Sequence, residues 1–494
     1  MSTRDLETKP VIGLEIHVQL ATRTKLFCGC PLEFGAEPNS RVCPVCLGMP
    51  GVLPVMNRTA FELAVRAATA LHCDIARFTK WDRKSYYYPD LPKNYQISQY
   101  DLPFSSDGYF DVPVGETTKR VRILRVHLEE DAGKNLHDNP AVTLVDLNRT
   151  GTPLLEIVTQ PDIESADEAY AFCTELQKLV TYLGVSEANM QMGHMRFEPN
   201  INVHITRDGV VYKTPIVEVK NLNSFRSVRG AVMYEIERQI QDWLADPTYT
   251  LENRGKENRG WNDTREITEF QRSKEEAHDY RYFPEPDLVP VEISEAWLAE
   301  LQADIPELPL DRQQRLQDEV ELSAADAATI VGDRATADLF EAAIAAGGHG
   351  ITLGKQFISF WLRRAKERNT SIAGLGIDAE RLGELSRLTA DGTINATAAA
   401  RIAEHMLDSA DTPMAIAQRE GLIQVKDVGQ MQVWVDEAFA ANAKAVQDAV
   451  SNPKKQQRAR GFLTGQVMKL SAGQADPKIV GELIDKKLAE LAAG

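Results

Sequence analysis

Glu15 and His17 stand two residues apart in VIGLEIHVQL, inside an otherwise apolar run. In a β-strand, side chains at i and i+2 project to one face, so a carboxylate and an imidazole would point together while Leu14, Ile16 and Val18 point the other way. Such a pair suits a divalent cation and equally suits a solvated strand face; the pair by itself does not choose. More polar groups recur in or beside apolar strands. Glu129, Glu130 and Asp131 end RVHLEEDAGK, and Asp146, Asn148 and Arg149 lie in LVDLNRTGTP. Glu156 follows in LLEIV, Glu198 and Asn200 in MRFEPNIN, and Glu218 and Lys220 in VEVKNLNSF. Each acid taken singly reads as an ordinary surface ion-pair member. If strand ends bring them to one cleft, buried carboxylates require cations or a metal ion, and an oxygen-rich set of this kind suits Mg²⁺ beside the phosphates of ATP.

The stretch WDRKSYYYPDLPKNYQISQYDLPF supplies the complementary chemistry. Lys84, Tyr86, Tyr87, Tyr88, Lys93, Asn94, Tyr95 and Gln96 offer cations and aromatic rings for phosphate contact and base or ribose stacking, or else form a partly buried aromatic loop. A second such stretch pairs Arg272, Lys274 and Arg281 with Tyr280, Tyr282 and Phe283. No GxGxxG occurs, and GGHGITLGKQ lacks the glycine spacing of a phosphate loop and has Gln356 where Ser or Thr is needed. Any ATP site must be built in another way.

Four of the six cysteines, Cys28, Cys30, Cys43 and Cys46, form two close pairs separated by a twelve-residue loop. Two short turns can aim four thiolates at one tetrahedral Zn²⁺, a closed and therefore structural site; a redox dithiol or packed free thiols are the other readings. Cys73 and Cys173 read as buried small hydrophobes.

The elements that must position these groups change character along the chain. To about residue 293, β-branched runs alternate with Gly, Pro and Asn turns and with inserted helices such as TAFELAVRAATALHC and DEAYAFCTELQKLVTYLG, which predicts one large mixed domain. From 294 the chain is rich in Ala, Leu, Asp and Glu at three- and four-residue apolar spacing, predicting a helical domain over 294–407 and a helical tail over 408–494. The expected fold class is α+β. With 494 residues, 43% hydrophobic and 26% charged, the chain reads as a soluble, multidomain globular protein. No apolar run is long enough to span a bilayer and the start lacks an apolar signal segment, so no membrane association and a cytoplasmic location are expected. A net charge of −17 argues against gripping nucleic acid, DNA included, by overall attraction. The tail differs: residues 411–494 carry 11 Lys and Arg against 10 Asp and Glu.

VIGLEIHVQL, FGAEPNSRVCPVCLGMPGVLPVMN, DRKSYYYPDLPKNYQISQYDLPF, RVHLEEDAGK, LVDLNRTGTPLLEIV, VEVKNLNSF and RSKEEAHDYRYFPEPDL together resemble the B subunit of the tRNA-dependent amidotransferases, which convert mischarged Glu-tRNA(Gln), and in many organisms Asp-tRNA(Asn), to the amide form. The resemblance runs over residues 11–290; the tail resembles that family through NPKKQQRARGFLTGQVMKLSAGQADPKIV, and residues 294–407 more loosely. It implies a cradle-like α+β catalytic domain over 1–293 with the zinc knuckle, a helical domain, and a tail that contacts tRNA(Gln) or tRNA(Asn). It implies that ATP phosphorylates the aminoacyl side-chain carboxylate and that ammonia then displaces phosphate.

Carried over by position, the family's Mg²⁺ ligands fall on Glu15, His17, Glu130 and Glu218, with Glu129, Glu156 and Glu198 completing the site or holding a second ion. Lys84, Asn148 and Arg149, with Glu130, are expected to act in catalysis; Lys84, Tyr88, Arg149 and Lys220 are expected to hold the nucleotide. Some relatives have Asp-x-Asn where this chain has Glu198-Pro199-Asn200. Members without the cysteines exist, so Zn²⁺ is expected outside the mechanism. No glutaminase apparatus is visible, which implies an amidase A subunit to supply ammonia and a small C subunit. Two other readings compete: a non-catalytic tRNA-binding module, which would tolerate loss of Glu15, His17 or Glu130, and a free-standing ligase, which would not need the tail.

Overall fold

The computed structural model describes residues 6–139, 142–273, 280–425, 427–451 and 453–493. The chain forms two compact units, 1–308 and 309–494. It is an α+β protein, with sheet concentrated in the first unit and, among the described residues, helices with one isolated bridge, Val425 to Ala475, in the second.

The first unit is built on a ten-stranded, largely antiparallel sheet. Its strand order is Ile267–Ser273, Lys256–Asn262, Ile216–Lys220, Met195–Arg207, Glu7–Gln19, Pro153–Thr159, Thr117–Glu130, Ser105–Val114 and Asp74–Ile75, with Val210–Lys213 paired to Met195–Arg207. The opening strand lies at its centre. Ile12, Leu14, Ile16 and Val18 on it are at most 1% exposed, while Glu15, His17 and Gln19 alternate with them as partly accessible residues. The period-two pattern thus separates a core face from a polar one. The core face joins Phe197, Ile157, Leu155, Leu128 and Val126 to helices Arg58–Ala70, Ala166–Tyr182 and Phe225–Ala245. Asn57, Ser165 and Ser224 cap these helices, each side chain accepting a hydrogen bond from an N–H of the first turn.

On the strand Thr117–Glu130 the alternation is reset where its register against Pro153–Thr159 shifts. Ile123 and Val126 both enter the core, at 1% and 0% exposure, so Leu124 and Arg125 share the outer side between them. A bulge of this kind re-aims a side chain. A small sheet of Phe283–Pro284, Asp82–Ser85 and Tyr95–Ser98 lies beside it, bringing residues 283–284 to 82–83 across two hundred positions of sequence. The helix Glu295–Ala303, just past the compositional change at 294, belongs to the first unit: Leu298 and Leu301 join its core and Trp297 stacks on Phe61.

In the second unit, Ser323, Asp333, His349, Asp378, Asn395 and Thr412 cap successive helices between 324 and 419. Helices Val428–Ala441, Ala443–Ser451, Pro453–Leu470 and Pro477–Ala493 follow. They share a separate core that includes Met431, Val435, Leu463, Val467, Val480 and Ile484. Among the described residues no helix is long and apolar enough to cross a membrane.

Candidate metal centre and thiol knuckle

Register alone assembles the polar face. Glu15 is opposite Glu198 on one side and Val158 on the other, His17 opposite Arg196 and Glu156, and Glu156 opposite His127. Glu129 comes two residues after His127 on the same strand, and Asn200 is opposite Glu218. Directly opposed residues share a face about 5 Å apart, so acids spread over two hundred residues of sequence become neighbours.

They form distinct groups. In the first, a ligand atom from each of His17, Glu129 and Glu156 lies within 4.8 Å of the others. The His17 Nε2 is 3.5 Å from Glu129 and 3.9 Å from Glu156. His127 Nε2 is 3.2 Å from Glu156. Burial and then the neighbouring Glu156 push the Glu129 carboxyl above the usual range. Burial acts the same way on Glu156, but His127 first, then His17 and Lys84, hold it well below. Two buried carboxylates this close are relieved by a cation between them. His17 Nδ1 is buried without a hydrogen-bond partner, leaving Nε2 as the nitrogen turned to the acids. One imidazole and two carboxylates are a fitting donor set for a divalent ion that keeps further positions for water and phosphate.

In the second group, Lys220 Nζ lies 2.6 Å from Glu198 and 2.7 Å from Glu218, and Asn200 donates to Glu15 at 2.9 Å. Burial opposes ionisation of Glu198, but Lys220 and His17 outweigh it and hold its carboxyl at about 2. Here an ammonium stands among the acids.

Glu130 joins neither group. Consecutive strand residues face opposite ways, and it pairs with Lys93 while accepting from the backbone N–H of Ile97 at 2.9 Å. The seven ligands expected from sequence, for one ion or two, thus fall into two clusters on one face and a third acid on the other.

Lys84 sits with its ammonium 4.8 Å from the ring centre of Tyr280 and 5.9 Å from that of Tyr86. Burial would lower its pKa; Glu129 foremost, with Tyr282 and Glu156, raises it instead. Tyr282 stacks on Tyr100 with ring centres 4.1 Å apart. Tyr88 is exposed. Arg149 and Arg196 both meet the buried Asp131, at 3.3 and 3.2 Å, and Arg149 also donates to the carbonyls of Ala132 and Gly133. Asn148 faces the cysteine loop, accepting from Arg41 N at 2.8 Å and donating to Glu37 O at 2.7 Å. It latches that loop in place. Lys274 lies outside the described residues.

The four cysteine sulfurs also lie within 4.8 Å of one another. The Cys43 and Cys46 sulfurs are 3.9 Å apart, against about 3.8 Å for two thiolates bound tetrahedrally to zinc at about 2.3 Å each. The fully buried Lys25 places its ammonium 3.6 Å from Cys46 Sγ. A hydrogen bond from Cys28 foremost, then the Cys43 N–H and Lys25, favours the Cys46 thiolate against burial, while Cys28 is pushed up by that same contact and by burial. Four crowded thiols beside a buried ammonium fit a thiolate-bound metal. Cys73 and Cys173 are buried, at 9% and 0% exposure.

Sequence reading missed Arg125, His127 and Arg196. RVH in RVHLEE carried a signal, since Arg125, His127 and Glu129 repeat the i, i+2 spacing of Glu15 and His17.

Fold and site together define the class: an α+β protein whose sheet carries a candidate divalent-metal centre and whose adjoining loop carries a candidate zinc knuckle. Residues 10–299 match the family described as the GatB/GatE catalytic domain, and residues 338–488 the GatB domain. The aspartyl/glutamyl-tRNA(Asn/Gln) amidotransferase B subunit of Rhodopirellula baltica is 46% identical over 487 residues, 97% of each chain. Those of Carboxydothermus hydrogenoformans and Moorella thermoacetica are each 44% identical, covering 98% of this chain and 100% of theirs. The chain belongs to the family of these amidotransferase B subunits.

Proposed function

We propose that this chain carries the ATP-dependent amidation of mischarged Glu-tRNA(Gln), Asp-tRNA(Asn) or both. The γ-phosphoryl of ATP passes to an oxygen of the aminoacyl side-chain carboxylate; ammonia then attacks the acyl carbon and phosphate leaves. Activation is needed because carboxylate oxygen is a poor leaving group, and phosphate is a good one. The observation that carries this reading is the convergence of His17, Glu129 and Glu156 on one point of the polar face beside Lys84.

His17, Glu129 and Glu156 would hold Mg²⁺, which neutralises charge on the phosphoryl group during transfer. Lys84, whose ammonium feels the charge of Glu129 and Glu156, meets the phosphates. Arg149, tied to Asp131, and Asn148, tied to the cysteine loop, act by fixing the walls of the site. Lys220, with Glu15, Glu198 and Glu218, forms a second polar cluster where a further ion or the substrate's amino group is held. Tyr88, being exposed, offers a ring to a base. Cys28, Cys30, Cys43 and Cys46 would hold structural Zn²⁺. Residues 309–407 form the helical domain, and 408–494, with its near-balanced charge and own core, is the tRNA-contacting tail. Ammonia comes from the amidase A subunit, and together with the small C subunit the three chains make a cytoplasmic complex in which neither DNA nor a membrane is involved.

The test is ATP hydrolysis by the chain with its amidase partner, with and without Glu-tRNA(Gln), using ammonium chloride in place of glutamine. Hydrolysis that requires the mischarged tRNA, yields Gln-tRNA(Gln) and is lost in His17→Ala supports the reading. Hydrolysis indifferent to tRNA, or none, leaves the chain a tRNA-binding component without the activating chemistry.

A further inference from the structure

Most cations on the polar face have acidic partners. Arg196 and Arg149 meet Asp131, and Lys220 meets Glu198 and Glu218. Arg125 differs. It is opposite Val158, which is itself opposite Glu15, so it extends the row Glu198–Glu15–Val158 by one strand, with His127 and then Glu129 following it at two-residue spacing. Its Nε is buried without a hydrogen-bond partner, and among the described residues its guanidinium makes no ion pair. The bulge beside it makes this placement possible: Leu124 takes an outward position and Arg125 is turned to the polar face while Ile123 and Val126 enter the core.

A buried guanidinium nitrogen without an acceptor is costly, and such a group persists where a ligand supplies the acceptor. Lys84 likewise makes no ion pair among the described residues; the aromatic rings of Tyr86 and Tyr280 flank its ammonium. Burial, with Glu129 and Glu156, holds the Tyr282 hydroxyl up at about 12 against the opposing charges of Lys84 and Arg125. Two such cations beside a divalent-metal donor set suit an anion bearing several charges, and a guanidinium binds phosphate oxygens in pairs. The chain also has no glycine loop to cradle phosphates with backbone N–H groups, so side chains must do so.

We propose that Arg125 is a phosphate-binding residue of this site, holding the phosphates of ATP together with Lys84. This rests on the function proposed above. The experiment uses the whole complex with ammonium chloride, comparing wild type, Arg125→Gln and Arg125→Lys. Initial rates are measured against Mg-ATP at saturating Glu-tRNA(Gln), and against Glu-tRNA(Gln) at saturating ATP.

Arg125→Gln is expected to raise KM for ATP about tenfold or more, as loss of a charge-assisted hydrogen bond does, with KM for the tRNA within about twofold. Arg125→Lys, which keeps the charge and loses the paired geometry, falls between. If Arg125→Gln fails to fold, as judged by its thermal midpoint, Arg125→Lys alone must still raise KM for ATP. An unchanged KM for ATP in folded variants overturns the assignment. So does a rise confined to KM for tRNA, which would make the bound phosphate one of the RNA backbone. Wild-type complex without tRNA-dependent hydrolysis would instead overturn the function and this inference together.

Discussion

Glu198 and Lys220 show how a half-buried pair ties stability to pH. The Glu198 carboxyl is held at about 2 in the folded chain against an ordinary 4.5. Because the folded value is the lower one, its contribution is fully present above 4.5 and is lost as pH falls toward about 2. Lys220→Met is therefore expected to lower the thermal midpoint most at neutral pH, with the gap to wild type closing on acidification. A gap that stays constant would mean that Lys220 matters through packing. At the candidate metal centre, His17→Ala and Glu156→Gln are expected to cut phosphate release about 100-fold or more while tRNA binding is retained, since each would remove a proposed ligand of the ion that offsets phosphoryl charge. Parallel loss of tRNA binding, followed by filter binding, would move both residues from chemistry to folding. Glu130→Ala reads differently, because it strands the buried Lys93, so its loss of activity should come with a lower thermal midpoint.

At the scale of elements, the strap 280–287 closes over Lys84 because Arg83 clamps it. Arg83 Nε and Nη2 meet the fully buried Glu285 at 2.6 and 2.9 Å, and Nη2 reaches Asp287 at 3.1 Å. Removing one partner of a buried pair costs about 3 kcal/mol or more. Arg83→Met should lower the urea midpoint accordingly and raise KM for ATP, since Tyr280 and Tyr282 lose their anchor; unchanged stability would show that the strap is held elsewhere. The cysteine loop is a second such element, pinned by Asn39 and Asn148 to residues 145–148. The Cys43→Ser/Cys46→Ser double variant is expected to lose bound zinc and several degrees of thermal midpoint, with the ATP-dependent step surviving at permissive temperature. Retention of one zinc per chain in that variant would refute a four-thiolate site.

Over the whole molecule, the tail carries its own core between Met431 and Leu488, whereas Ile416 and Ala417, from the helix before it, are completely buried. Ending the chain near residue 426 should accordingly leave a folded protein whose KM for aminoacyl-tRNA rises while ammonia-dependent chemistry persists at high tRNA. Loss of ATP hydrolysis at every tRNA concentration would place part of the active machinery in the tail. What the sequence by itself determined is whatever depends on short range: the Glu15/His17 face, fixed by the period of two; the helices with their capping residues; the cysteine spacing; and the family, through long stretches of matching residues. Tertiary structure alone decided the partition of the acids, because strand register selects which residues separated by more than a hundred positions become neighbours. It set Lys220 beside Glu198, and through one bulge put Arg125 on the polar face. Those outcomes depend on side-chain direction across five paired strands, which no local pattern specifies.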